Sequence, residues 1–152
     1  MSNTVQALDA KDRSTGASSI SASDRRKVIT FKAGAAIVAK NAVAFDTSAT
    51  GADRVVTVVK ADNATAATAQ AIGFSLDTAT AAGQLVRVVV QGYVEDADVA
   101  NAVGTVGTTL NSGGTAGRAI AYGAGNDQAP FAQALEVAGG NTCDVWVLGL
   151  FA

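Results

Sequence analysis

Short runs of β-branched and aromatic residues recur along this chain, each cut off by glycine, asparagine, aspartate or lysine. Val28-Ile29-Thr30-Phe31 comes first and stops at Lys32-Ala33-Gly34. Ile37-Val38 and Val43-Ala44-Phe45 follow, parted by Lys40-Asn41. Asp46 to Asp53 is turn chemistry. Val55 to Val59 predicts a strand, because β-branched side chains fit a pleated surface. Asn63 to Gln70 is alanine- and threonine-rich, has no larger apolar anchor, and reads as a loop or short helical turn. Ile72-Gly73-Phe74-Ser75-Leu76 alternates, which puts Ile72, Phe74 and Leu76 on one face. Leu85 to Val94 is the strongest strand pattern, with Val86, Val88, Val90 and Val94 on one face together with Gly92. A glycine inside a strand marks a bulge or a close backbone approach. Further strands are predicted at Thr108–Leu110, Ala119–Tyr122 and Val145–Phe151, and one helical turn at Asp98–Val103. Eight to ten short strands with frequent turns describe an all-β barrel or sandwich.

Part of this pattern occurs twice. Residues 69–94 and 129–151 share Leu-acid, then Val-x-Val-x-Gly-x-apolar. Leu76-Asp77 and Leu135-Glu136 are 59 residues apart, whereas Val88 and Val145 are 57 apart, so only the connecting turn differs. A supersecondary unit used twice buries its apolar face by stacking on its copy. The closing strand pattern predicts a C-terminus tied into the sheet.

The segment before Lys27 is different. Residues 1–24 carry almost no large apolar groups and show no period, so they cannot offset their ordering entropy alone. The division is a flexible N-terminal arm over 1–27 and a β-rich domain over 28–152. The arm has five basic and three acidic residues, a net of +2; the rest has six basic and ten acidic, a net of −4. A body with that balance lacks the basic stripe a nucleic-acid platform needs. Alanine fills 33 positions, so the core buries little area per residue. No apolar run reaches the ~18 residues of a membrane-spanning helix, and no apolar leader opens the chain.

The chain has no histidine, which removes the commonest general base and transition-metal ligand. A Ser-His-Asp triad cannot be built. Cys143 is a lone cysteine without a disulfide partner and reads as a small buried hydrophobe. Glu95-Asp96-x-Asp98 reads as a solvated acidic turn after a buried strand, since its spacing fits no EF-hand loop. Asp77 and Glu136, at matched repeat positions, are expected to hydrogen-bond turn backbone. Gly104-x-x-Gly107 and Gly113 to Gly117 lack phosphate-loop spacing and read as turns. No catalytic, metal or cofactor site is expected, and the chain is not read as an enzyme. Tyr93 and Trp146 lie opposite the valine rows on matched strands, as the far side of the core or as an oligomer interface.

The phrase Ala71-Ile72-Gly73-Phe74-Ser75-Leu76-Asp77, then Ala82-Gly83-Gln84, then Val86-x-Val88-x-Val90-x-Gly92-x-Val94 resembles tailed-bacteriophage capsid decoration (cement) proteins, with a β-barrel or β-tulip core. The resemblance spans roughly residues 33–151. The second copy departs from it: Gln133 replaces a glycine and Asn141-Thr142 replaces the Ala-Gly turn. The resemblance implies a virion protein on the outer capsid surface that clamps neighbouring major capsid subunits. It also implies a homo-oligomer, with a trimer favoured over a dimer. The arm (Val5, Leu8, Ile20, Arg25, Arg26) would then bind the capsid, and Tyr93 and Trp146 would serve the interface. No nucleic acid, membrane or cofactor is implied.

Other readings remain open at this point. One is a different virion part, such as a tail-tube subunit, surface knob or fibre. Another is a β-sandwich adhesion or carbohydrate-binding module, although one Trp and two Tyr supply few aromatic platforms.

Overall fold

A computed structural model describes residues 25–64, 68, 70–100, 103–123 and 128–149. Five strands form its first half: β1 (Arg26–Ala33), β2 (Ala42–Phe45), β3 (Thr57–Lys60), β4 (Ala71–Ser75) and β5 (Leu85–Asp98). They run in the order β1-β3-β2-β4-β5, and β5 pairs back onto β1. The sheet is therefore closed, which decides barrel over sandwich for this half. Within these five strands β1 and β3 pair in parallel, and the other pairs are antiparallel. Inward positions fill the barrel with Phe31, Val43, Val58, Ile72, Val86, Val88 and Val90.

The second half adds β6 (Thr109–Ser112), β7 (Ala119–Ala121), β8 (Ala132–Ala134) and β9 (Thr142–Val147). The far half of β5 pairs with β9, and the sheet continues β9-β8-β6-β7. A second core joins this sheet to the outward-facing residues of β2, β4 and β5. In β2, Val43 points into the barrel, while Ala42 and Ala44 join the second core. Both faces of β2 and β4 are thus covered, and every residue of β4 is buried. Small alanines on the barrel wall let the second sheet approach closely. The rings of Phe74 and Phe131 meet across the layers, with centroids 5.2 Å apart.

The repeat is real at the level of register. Ser75 pairs with Val88, and Ala134 with Val145, the equivalent positions of the two copies. Leu76 N–H donates to the Arg87 carbonyl and Leu135 N–H to that of Asp144, each at 2.8 Å. Asp77 and Glu136 accept from backbone, but from strand residues of β5 and β9 across each hairpin rather than from the turn. The Arg87 N–H donates to Asp77 Oδ2 (2.9 Å) and the Asp144 N–H to Glu136 Oε1 (3.0 Å). Copy one adds an ion pair, Arg87 Nη2 to Asp77 Oδ1 at 2.7 Å. Hydrogen bonding from Arg87 holds the Asp77 carboxyl below its ordinary range.

Several local expectations are corrected. Val55 and Val56 are not strand: Gly51–Val55 is a 3-10 helix, and Val55 is 64% exposed. Ile37-Val38 makes only a single bridge, Ile37 to Ala79. Ile72 and Phe74 do not share a face. The β2–β4 register shifts between Val43 and Ala44, skipping Ile72 and turning it into the barrel, while Phe74 faces the second core. The valine row of β5 splits in the same way: Val86, Val88 and Val90 face the barrel and Val94 the second core. Bulges add a residue and reverse the alternation. The acidic run Glu95-Asp96-x-Asp98 is strand rather than turn, as is Asp98 of the expected helical turn.

Asn111 in β6 is fully buried, and among the described residues neither amide atom has a hydrogen-bond partner. A buried unsatisfied group costs about 1–3 kcal/mol. Asn111→Leu, of similar size, is therefore expected to raise the melting temperature, as measured by circular dichroism. A lower value would show that the amide is satisfied in solution.

Candidate functional site

The base of the N-terminal segment and the aromatic pair, predicted separately, meet at Gly92. Arg26 is in register with Gly92 across the β1–β5 pair, and Val147 is in register with Gly92 across the β5–β9 pair. Gly92 has φ +100°, and an added Cβ would lie 2.0 Å from the Arg25 carbonyl oxygen. Only glycine lets β1 start there. Arg26 and Lys27, read as arm, already pair in β1, and Arg25 is exposed. Val5, Leu8 and Ile20 lie outside the described residues.

Tyr93 and Trp146 are direct cross-strand partners. Both are half-buried and alternate with the core residues Val94, Val145 and Val147. The Tyr93 hydroxyl donates to Asp144 Oδ2 at 2.6 Å, while Asp144 Oδ1 accepts the Asp96 N–H at 3.0 Å. Asp96 has φ +51° and stands where the β5–β9 register shifts between Val94 and Ala97. The result is an aromatic pair set among carboxylates, next to a strand that begins with cations. Aromatic anchors inside a polar rim are the usual anatomy of a protein interface.

The hydrogen bond to Asp144, then burial and the nearby carboxylates of Asp144, Glu95 and Glu136, push the Tyr93 phenol up to about 12. The neutral phenol is the form the fold favours. Its contribution is present below the ordinary value of 10.0 and lost as pH rises through about 12. In an ultraviolet phenolate titration, Tyr93→Phe should remove the phase near pH 12 and flatten the loss of stability above pH 10. An unchanged titration would mean the bond to Asp144 is absent in solution.

A second cluster locks the halves together. Asp98 accepts from Asn41 Nδ2 (3.0 Å) and Arg118 Nε (2.8 Å), and Asn41 Oδ1 accepts the Val38 N–H (3.0 Å). Lys40, at φ +74°, donates from Nζ to the Glu95 carbonyl at 2.7 Å. Sequence reading missed this cluster, because its members come from loops and strands up to 80 residues apart. The alternation Cys143-Asp144-Val145-Trp146-Val147 was the available signal for a polar strand face carrying Asp144.

Among the described residues, no three potential metal ligands converge. The Cys143 side chain is buried, and burial pushes its thiol up, away from the thiolate a nucleophile needs.

No family model matches the chain, and no curated protein matches it. Among solved structures, the fold is similar to the N base of the head fibre protein gp8.5 of bacteriophage phi29. That match has a TM-score of 0.54 and 19% identity, and covers 81% of this chain and 93% of the other. At this identity the likeness establishes a shared fold.

Proposed function

We propose that the chain is a structural protein of a tailed-phage virion that binds the outer surface of the head and clamps neighbouring major capsid subunits. The observation carrying this reading is the fold shared with a phage head fibre base over 81% of this chain and 93% of the other. The decoration-protein pattern over residues 71–94 supports it independently. The proposed contacts are the arm (Val5, Leu8, Ile20, Arg25, Arg26) and the Tyr93/Trp146 face, the latter also serving self-association, with a trimer favoured.

The mechanism is thermodynamic rather than catalytic. A protein that binds the assembled shell and not its free subunits stabilises the shell by mass action. Many weak contacts repeated over a lattice multiply through effective concentration. A second reading has its own support: the shared fold is that of a fibre base, so the domain could instead seat a projecting fibre on the head.

Cryo-electron microscopy of the particle carrying this chain tests both. Density repeated at local symmetry axes of the outer shell supports clamping. Density only at the foot of a projection supports the fibre base. Density in the tail overturns both. Deleting residues 2–24 while the body stays folded should abolish head binding, and retained binding would remove the arm from the mechanism.

A further inference from the structure

β1 is a barrel strand with one incomplete side. Its parallel pairing with β3 covers only Lys32 and Ala33. Lys32 N–H donates to the Val56 carbonyl and Gly34 N–H to that of Val58, both at 2.8 Å. Alternate backbone groups of β1 therefore point toward this side, and the next in line belong to Thr30 and Val28. The chain before β3 winds into the 3-10 helix Gly51–Val55 rather than extending the strand. Among the described residues, no strand lies beside Val28–Phe31 on that side.

An apolar groove of about 310 Å³ opens at the same place, lined by Ile29, Phe31, Phe45 and Val55. The rings of Phe31 and Phe45 meet edge to face, with centroids 5.8 Å apart. The groove is the mouth of the barrel core, since Phe31 is a core residue and Ile29 and Phe45 pack against that core.

Charge names the occupant. Arg25, Arg26, Lys27 and Lys32 flank the edge, and residues 25–33 contain no acid. The facing helix brings Asp53 and Arg54, which offset each other. A second copy is a poor fit: antiparallel self-pairing about Ile29 sets Arg26 against Lys32, and like charges directly opposite are destabilising. Nucleic acid would use the cations but leave the backbone edge and the apolar groove unused.

We propose that the free edge of β1 is a strand-addition site for an extended acidic segment of a partner protein. The segment hydrogen-bonds Val28 and Thr30, sets apolar side chains into the Ile29/Phe31/Phe45/Val55 groove, and turns its carboxylates toward the flanking cations. This is the mode in which main-chain bonds give affinity and alternate side chains give specificity. The proposal deepens the head-binding reading by stating the partner's chemistry, and it rests on that reading only for where the partner resides.

The test titrates the full-length chain with a synthetic peptide of alternating valine and glutamate, followed by amide NMR. The expected result is shifts centred on Val28, Thr30 and Val55, with at least tenfold weaker binding of a valine-lysine peptide. Val55→Asp, which touches no strand backbone, should abolish peptide binding, as should Thr30→Pro. Four results overturn the site: equal binding of the two peptides, shifts centred elsewhere, preferential binding of duplex DNA, or binding only after residues 2–24 are deleted. The last would mean that the chain's own N-terminal segment occupies the edge. Peptide binding by a chain that fails to bind heads keeps the site and rejects the head reading. Head binding without peptide binding does the reverse.

Discussion

Gly92→Ala is expected to destabilise the chain by about 2–5 kcal/mol, combining about 1–2 for a left-handed backbone and about 1–3 for overpacking. Gly92 sits at φ +100°, and its new Cβ would lie 2.0 Å from the Arg25 carbonyl oxygen and 2.7 Å from Arg26 Cα. Both obstacles are backbone and cannot rotate away, so β1 must lift from β5 at its first pairs, Arg26 with Gly92 and Lys27 with Gln91. The repeat supplies the control. Gly149 has φ +83°, but its added Cβ meets only the Gln91 side chain, at 3.1 Å. Gly149→Ala should therefore cost only the conformational term, about 1–2 kcal/mol. Urea unfolding of the two variants separates strain from collision. Equal losses would show that contact with β1 is not the cause.

Phe74→Ala and Phe131→Ala should each cost about 3–5 kcal/mol, the range for truncating a buried ring. Each ring is almost wholly buried, and together they join β4 of the barrel to the segment leading into β8. A double-mutant cycle should return a coupling of about 0.5–1.5 kcal/mol, as for other aromatic pairs. Both variants should still melt in one transition, because β5 belongs to both sheets. Trp146 fluorescence reports the second sheet, and circular dichroism reports all strands. A Trp146 transition well below the circular-dichroism midpoint in Phe131→Ala would show that the two cores unfold separately.

The repeat was legible because its two hairpins are local and each keeps its register. The strand pattern of Leu85 to Val94, the in-strand glycine at 92 and the matched places of Asp77 and Glu136 carried correct information, whereas the single face given to Val86, Val88, Val90 and Val94 did not. What misled was the assumption of unbroken alternation. The bulge at Ile72 and the left-handed Gly92 send neighbouring apolar residues to different cores, and a buried strand gives no polar face to betray the switch. Val55 and Val56 have strong strand propensity yet lie exposed, because pairing across the chain overrides local preference. The meeting of Arg26 with Gly92, and of Tyr93 with Trp146, depended on long-range register that spacing alone does not encode. The open edge of β1 was illegible for the same reason: a strand shows its side chains in sequence, not which of its sides lacks a neighbour.

The pairing of β1 with β5 also has a consequence for synthesis. Gly92 follows Arg26 by 66 residues. At about 5–20 residues per second, the first strand leaves the ribosome several seconds before its main partner exists. During that wait Val28-Ile29-Thr30-Phe31 is an unpaired β-forming run, the kind that joins a neighbouring nascent chain. Arg25, Arg26 and Lys27 on one side and Lys32 on the other bracket it with like charge, the arrangement that keeps such runs apart. The same four cations that mark the finished edge thus guard the unfinished chain on the polysome.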